Sequence, residues 1–198
     1  MMNLIERTKS ILISPKEEWS KIGQENDTPV KLLTTYLLWL AILPAAAAFI
    51  GYGLIGFRIP LVGHIASLEW GIRMALLQYV SVIGGVFLTA FVFDMLASYF
   101  GAEKSFNKAF QLATYCYAAV CVGGIFYIYW SLSFLAGIAG LYALYILYCG
   151  LKPMMKVPEE KTTNYFVAAL ITMVVVAVVL SVVLTAIMGV RPYMYLSL

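Results

Sequence analysis

The chain has 198 residues, of which 63% are hydrophobic, 15% aromatic and only 12% charged, about half the charged share of an ordinary soluble domain. Its net charge of +3 is spread through short loops and forms no basic domain, which argues against nucleic-acid binding. What remains is a lipid-embedded protein, because from Pro29 onward almost every run of about 20 residues is apolar enough to cross about 30 Å of hydrocarbon as a helix.

Residues 1–28 form a polar leader. Leu4, Ile5, Ile11 and Leu12 line one face of a helix that carries Glu6, Arg7 and Lys9 elsewhere, and Trp19 and Ile22 continue the apolar face. Ser14-Pro15-Lys16-Glu17 reads as a capping box that starts a second short helix, with Ser14 and Glu17 satisfying each other's backbone donors and Pro15 where no donor is needed. Gly23 is expected to stop that helix. This segment is expected either to lie on the headgroups over the cytoplasmic mouth of a bundle or to dock a soluble partner, with Ser14, Pro15, Glu17 and Trp19 as docking residues. About 30 polar or charged residues precede the first apolar run, so no cleavable signal peptide is expected.

The first span is expected over residues 29–56, with Thr28 as N-cap, Pro29 at the first helical position and a kink at Pro44 that a neighbouring helix must cover. Residues 57–70 follow as an interfacial half-helix, since Leu61, Ile65 and Leu68 recur at helical spacing. The second span, 71–100, holds Asp94. After a tight loop, Lys108–Leu151 is apolar throughout and too long for one crossing. It divides near Trp130–Ser133 into spans at 108–129 and 133–151. A polar loop leads to the fifth span, 165–189, whose many valines suggest a strand in water but whose unbroken length indicates a lipid-embedded helix. Arg191 and Pro192 are expected to end it.

The expected fold is therefore all-α: a polytopic integral membrane bundle of five transmembrane helices, residues 29–198, carrying a short N-terminal amphipathic segment, residues 1–28. Lys and Arg set its orientation. Arg7, Lys9, Lys16, Lys21, Lys31, Lys104, Lys108, Lys152, Lys156 and Lys161 fall on one side, and Arg58, Arg73 and Arg191 on the other, which places the N-terminus in the cytoplasm and the C-terminus outside. Tyr99, Phe106, Tyr148 and Tyr165 then mark the inner interface, and Tyr52, Trp70, Trp130 and Tyr193 the outer one. The expected location is a multi-pass position in the cell membrane of a prokaryote.

Ser14-Pro15 followed by Trp19 in a short leader, Pro44 in the first span, the stretch from Gly101 through Ser105-Phe106 into Ala109-Phe110 and Tyr115, and the ending Tyr148-Cys149-Gly150-Leu151-Lys152 together resemble the Yip family of small five-span membrane proteins, particularly its bacterial and archaeal members. The chain departs from the family pattern at Ala118-Ala119-Val120, where a proline often follows the tyrosine, and lacks the Asp-Leu-x-Gly-Pro motif of the eukaryotic trafficking members, having only Leu43-Pro44. Binding to Rab-type GTPases is not carried over. The resemblance implies a fold and a membrane location.

Asp94 is the acidic residue well inside a span, and such residues suggest function. If the second and third spans form an antiparallel hairpin, Asp94 lies level with Gln111, Thr114 and Tyr115. That polar cluster is the candidate coupling site of a small permease or of a proton or cation channel. The competing expectation is a structural carboxylate hydrogen-bonded across the hairpin or reaching Lys104 or Lys108. Gln78 is expected to bridge helices. Ala47 with Gly51, Ser81 with Gly85, Ala119 with Gly123 and Ala136 with Gly140 are expected to allow close helix approach. Met154, Met155 and Pro158 are a further place where a partner or the headgroups touch the inner loop.

Cys116, Cys121 and Cys149 lie within spans without ligand spacing, and with a single histidine, His64, neither a metal site nor a cofactor is expected. There is no Gly-x-Ser-x-Gly elbow, no His-Glu-x-x-His, no paired intramembrane aspartates and no phosphate-cradling loop. The chain thus reads as non-enzymatic: a membrane scaffold or adaptor that recruits membrane or cytoplasmic proteins, or a homo-oligomer partner, at its inner face, with the permease as alternative.

Overall fold

The computed structural model describes residues 3–59 and 63–187. Two short helices, α1 (Leu4–Ile13) and α2 (Pro15–Ile22), precede the membrane region. Five helices long and apolar enough to cross a membrane follow: Pro29–Ile55, Leu68–Phe100, Phe106–Ile128, Trp130–Met155 and Glu159–Ile187. We call these the first to fifth spans. The end of the bundle that receives α1 and α2 is the leader end.

The third span is the centre. In its most apolar stretch 72% of residues are buried by protein, against 11% in the fifth. Its sequence explains this position, because Ala109, Ala113, Cys116, Ala118, Ala119 and Cys121 are all small and buried, and small side chains let neighbouring helices close in. The fifth span instead turns Val174, Val175, Val178, Val179, Val182 and Val183 outward. In lipid such a surface needs no protein cover.

The first span begins as expected, with Thr28 Oγ1 accepting from the Lys31 backbone N–H and Pro29 at the first helical position. It widens into π-helical turns at Leu33–Leu37 and Phe49–Ile55. Pro44 is buried against Gly124 of the third span, where an added Cβ would lie 2.5 Å from Pro44 Cβ. The neighbouring helix thus covers the proline by meeting it with glycine.

Residues 57–70 differ from the expected half-helix. Phe57–Ile59 and Gly63–Ile65 are two antiparallel strands, β1 and β2, paired Phe57 to Ile65, Arg58 to His64 and Ile59 to Gly63. The reason is the backbone at either side of the segment. Gly56 has φ 72° and Gly63 φ 105°, outside the helical region and suited to glycine, so helix cannot run through them. The three apolar positions were too few to separate a helical period from coincidence. Helix resumes at Leu68, with Ser67 as N-cap, making the second span 33 residues long, or about 50 Å, which requires tilt or projection beyond the hydrocarbon.

The third and fourth spans part where the aromatic and hydroxyl residues cluster. The chain tightens into 3₁₀ turns over Gly124–Ile128 and Trp130–Leu132 before the regular helix restarts at Phe134. Of the small-residue pairs, three pack as expected: a Cβ on Gly51, Gly85 or Gly123 would clash with Tyr127, Tyr117 or Ala139, respectively. Gly140 is different, since nothing lies within 4 Å of its added Cβ; only Ala136 of that pair faces a neighbour. Arg191 and Pro192, expected to end the fifth span, and Tyr193, expected at the outer interface, lie outside the described residues.

Candidate functional site at the leader end

The leader is part of the core. Ile11, Trp19 and Ile22 have no exposed surface and belong to the same apolar cluster as the spans. The depth of this insertion can be read along the helices. The Trp19 indole N–H donates to the Ile146 carbonyl at 2.9 Å, nine residues before the end of the fourth span, or about 14 Å along its axis. Thr8 Oγ1 meets the Tyr36 hydroxyl at 2.8 Å, and the Arg7 guanidinium sits 5.9 Å from the centre of the Tyr115 ring. The leader therefore fills a recess between the first, third and fourth spans, where the sequence had suggested a segment lying over the mouth. Placing an indole and an apolar face inside protein removes more surface from water than resting on headgroups would.

Ser14 explains how two helices enter one recess. It closes α1 and opens α2, so its backbone N–H is already given to Ser10 at 2.9 Å. The reciprocal bond of a capping box has no donor left, and the Ser14 side chain makes no cap bond. Gly23 ends α2 as expected, in a right-handed conformation. Glycine fits closely there, since an added Cβ would lie 3.1 Å from the Pro153 carbonyl oxygen.

A charged cluster accompanies the leader. Arg7 donates from Nη1 to Glu18 Oε1 at 2.7 Å and from Nη2 to Glu25 Oε1 at 2.5 Å, while Lys21 reaches Glu18 Oε2 at 3.2 Å. Burial works against the Arg7 cation, but the hydrogen bond to Glu25 and the nearby Tyr115, Glu25 and Glu18 outweigh it and hold the guanidinium above its ordinary pKa. From the third span, Lys108 Nζ donates to the carbonyls of Gly23 at 2.8 Å and Glu25 at 2.7 Å, and Gln111 Nε2 to that of Asp27 at 3.1 Å. These bonds tie the link 23–28 to the bundle. Beside them lies a cavity of about 490 Å³ bordered by Arg7, Glu25, Asp27, Lys31, Tyr36 and Tyr115.

The expected intramembrane cluster is thus divided. Gln111 and Tyr115 point to the leader, with Tyr115 stacked edge-on against Trp19 and Tyr36. Thr114 is fully buried, and its hydroxyl has no hydrogen-bond partner. Asp94 has no described hydrogen bond to any of the three. Its electrostatic neighbour is Tyr165 of the fifth span, whose hydroxyl donates to the Phe93 carbonyl at 2.7 Å, and its Oδ1 is enclosed without a partner. Level positions in a hairpin give height along the axis but not direction around it. Of the four leader residues expected to dock a partner, Trp19 and Pro15 are buried, Ser14 is half-buried and Glu17 is exposed. Arg7, Glu18 and Glu25 were missed as a site; their opposite charges in a segment otherwise apolar on one face were the available signal.

Residues 9–182 match the Yip1 domain family. The chain is similar to inner membrane protein YohC of Escherichia coli strain K12, with 27% identity over 156 residues, covering 76% of this chain and 80% of that protein. The YohC of E. coli O6:H1 strain CFT073 shows the same identity and coverage. No solved structure is significantly similar. The match runs from the middle of α1 into the fifth span and so takes in α2, part of α1 and the bundle that receives them: the chain is an integral membrane protein that belongs to the Yip1 domain family.

Proposed function

We propose that this protein is a non-enzymatic membrane adaptor of a prokaryotic cytoplasmic membrane, with the N-terminus and the leader end facing the cytoplasm, and that residues 1–28 present a docking face for a cytoplasmic or membrane protein. The relatives named as inner membrane proteins and the ten-to-three division of Lys and Arg support the location and orientation. The observation that carries the adaptor reading is the two-sided leader. Trp19, Ile11 and Ile22 hold it in the bundle, while Ile5 and Ile13 on α1 are 70% and 67% exposed. Between them and α2 runs a groove of about 340 Å³ bordered by Glu6, Lys9, Glu17 and Lys21. Held rigid from beneath, that face loses little entropy when a partner binds.

Deleting residues 1–28 would remove part of the core, so surface substitutions are the informative variants. Affinity purification from native membranes is expected to lose its partners on Ile13→Glu combined with Lys9→Glu, with thermal stability unchanged. Recovery of the same partners by the folded double variant would refute the docking face.

A second reading rests on the enclosed, unpartnered Oδ1 of Asp94 beside Tyr165. In a proton or cation pathway this carboxylate is the coupling group. Flux in reconstituted vesicles then collapses in Asp94→Asn while the protein stays folded. An adaptor gives no flux above empty liposomes in either form.

A further inference from the structure

We propose that the notch between α2 and the leader ends of the fourth and fifth spans binds the phosphate headgroup of an anionic phospholipid. The notch is a cavity of about 670 Å³ into which α2 places Lys16 and Ser20, the fourth span Lys152, and the fifth span Thr163 and Glu159. Two lysines from different elements thus border one space together with hydroxyl-bearing residues, and one glutamate shares it. Basic pockets between transmembrane helices recognise phosphate-bearing headgroups in this way.

The polarity of the walls selects a lipid over a soluble anion. Lys152 and Thr163 stand near the leader ends of their spans and Lys16 on α2 beside them, whereas Tyr145 and Tyr148, one turn apart on the fourth span, border the same notch and are 44% and 49% exposed. Tyr142, one turn further in, stacks on Tyr145 with ring centres 5.7 Å apart. Tyrosines at such a boundary place an apolar ring toward the chains and a hydroxyl toward the headgroups. Cationic groups at one end and an aromatic wall running inward follow the order of a phospholipid, headgroup first and acyl chain after.

Glu159 marks the position of the ligand's oxyanion. Its carboxylate pairs with Lys152 Nζ, yet the two side chains remain 82% and 51% exposed. An ion pair that open to water contributes little, so a phosphate that engages both Lys152 and Lys16 displaces it readily. Glu159 is therefore a competitor, and removing its charge strengthens binding.

The full chain in nanodiscs of phosphatidylglycerol or of phosphatidylcholine provides the test, with lipid retention read by native mass spectrometry and stability by thermal unfolding. Wild type is expected to retain phosphatidylglycerol preferentially and to melt higher in it. Each of Lys16→Gln and Lys152→Gln should weaken retention about fivefold, the effect of about one charge near the membrane surface. Glu159→Gln should increase it. Equal retention of both lipids by wild type overturns the site, as does a Lys16→Gln, Lys152→Gln double variant that folds and keeps the preference. Stabilisation by inorganic phosphate in phosphatidylcholine discs, matching that by phosphatidylglycerol, overturns the lipid assignment in favour of a soluble phosphate.

Discussion

Glu18 shows how narrowly the charged cluster is balanced. Its side chain is 2% exposed and receives both Arg7, at 2.7 Å, and Lys21, at 3.2 Å. Arg7→Met removes one partner and leaves a buried carboxylate; the expected loss is about 3–5 kcal/mol, measured as detergent-solubilised unfolding. Changing Arg7 to Met and Glu18 to Leu together should recover much of that loss, because no unpaired buried charge remains. Trp19 is the other anchor. Trp19→Ala should cost about 3–5 kcal/mol for the cavity it opens, and Trp19→Phe less, losing the bond to Ile146 and part of the ring. Gly150 lies under that indole, with an added Cβ 2.6 Å from both Trp19 Cε2 and Leu112 Cδ1. Gly150→Ala is therefore expected to destabilise by about 1–3 kcal/mol through overpacking.

Among the elements, the leader helices and the loop between the second and third spans respond to different stresses. Deletion of residues 1–28 should lower thermal stability sharply, since it uncovers the apolar floor of the recess and strips Lys108 and Gln111 of their carbonyl acceptors. A deletion variant that melts like wild type would show that the leader does not stay seated. The loop is held by the Glu103 backbone N–H donating to Met155 O at 2.9 Å and by the Glu103 carboxylate, 2.6 Å from Lys156 Nζ. The hydrogen bond from the Lys156 ammonium and its charge keep the Glu103 carboxyl below its ordinary pKa. A depressed carboxyl stabilises above its unfolded value, and the contribution is lost as pH falls through the folded one. Because Glu103 is open to solvent the effect is small, and Glu103→Gln should remove only that acid-range slope while the backbone bond keeps the loop in place. The slope is read from unfolding midpoints over an acid series.

For the whole molecule, the proposed orientation rests on charge and the lipid contact on burial. A cytoplasmically active reporter fused after Leu198 should be silent, and labelling from outside should miss the 156–158 loop; either result reversed overturns an N-in, C-out arrangement. The fifth span faces lipid along its valines, so Val178→Leu and Val182→Leu are expected to be near neutral in stability, whereas Ala169→Leu, at a position with no exposed surface, should overpack the core around it.

Length and hydropathy alone determined the five spans, because a bilayer demands about twenty apolar residues per crossing whatever the neighbours are. Thr28-Pro29, Pro44 and the Trp130–Ser133 turn were legible for similarly local reasons: capping, a missing donor, and a polar break in an apolar run. The tertiary structure decided which way each helix faces. Rotation about an axis depends on packing partners far along the chain, so it alone separated Asp94 from Gln111 and Tyr115, turned Gly140 away from a neighbour, and made Gly23 a close-contact residue. It also drew Trp19 into the bundle, since whether an apolar leader face meets headgroups or protein depends on the recess that three distant spans create.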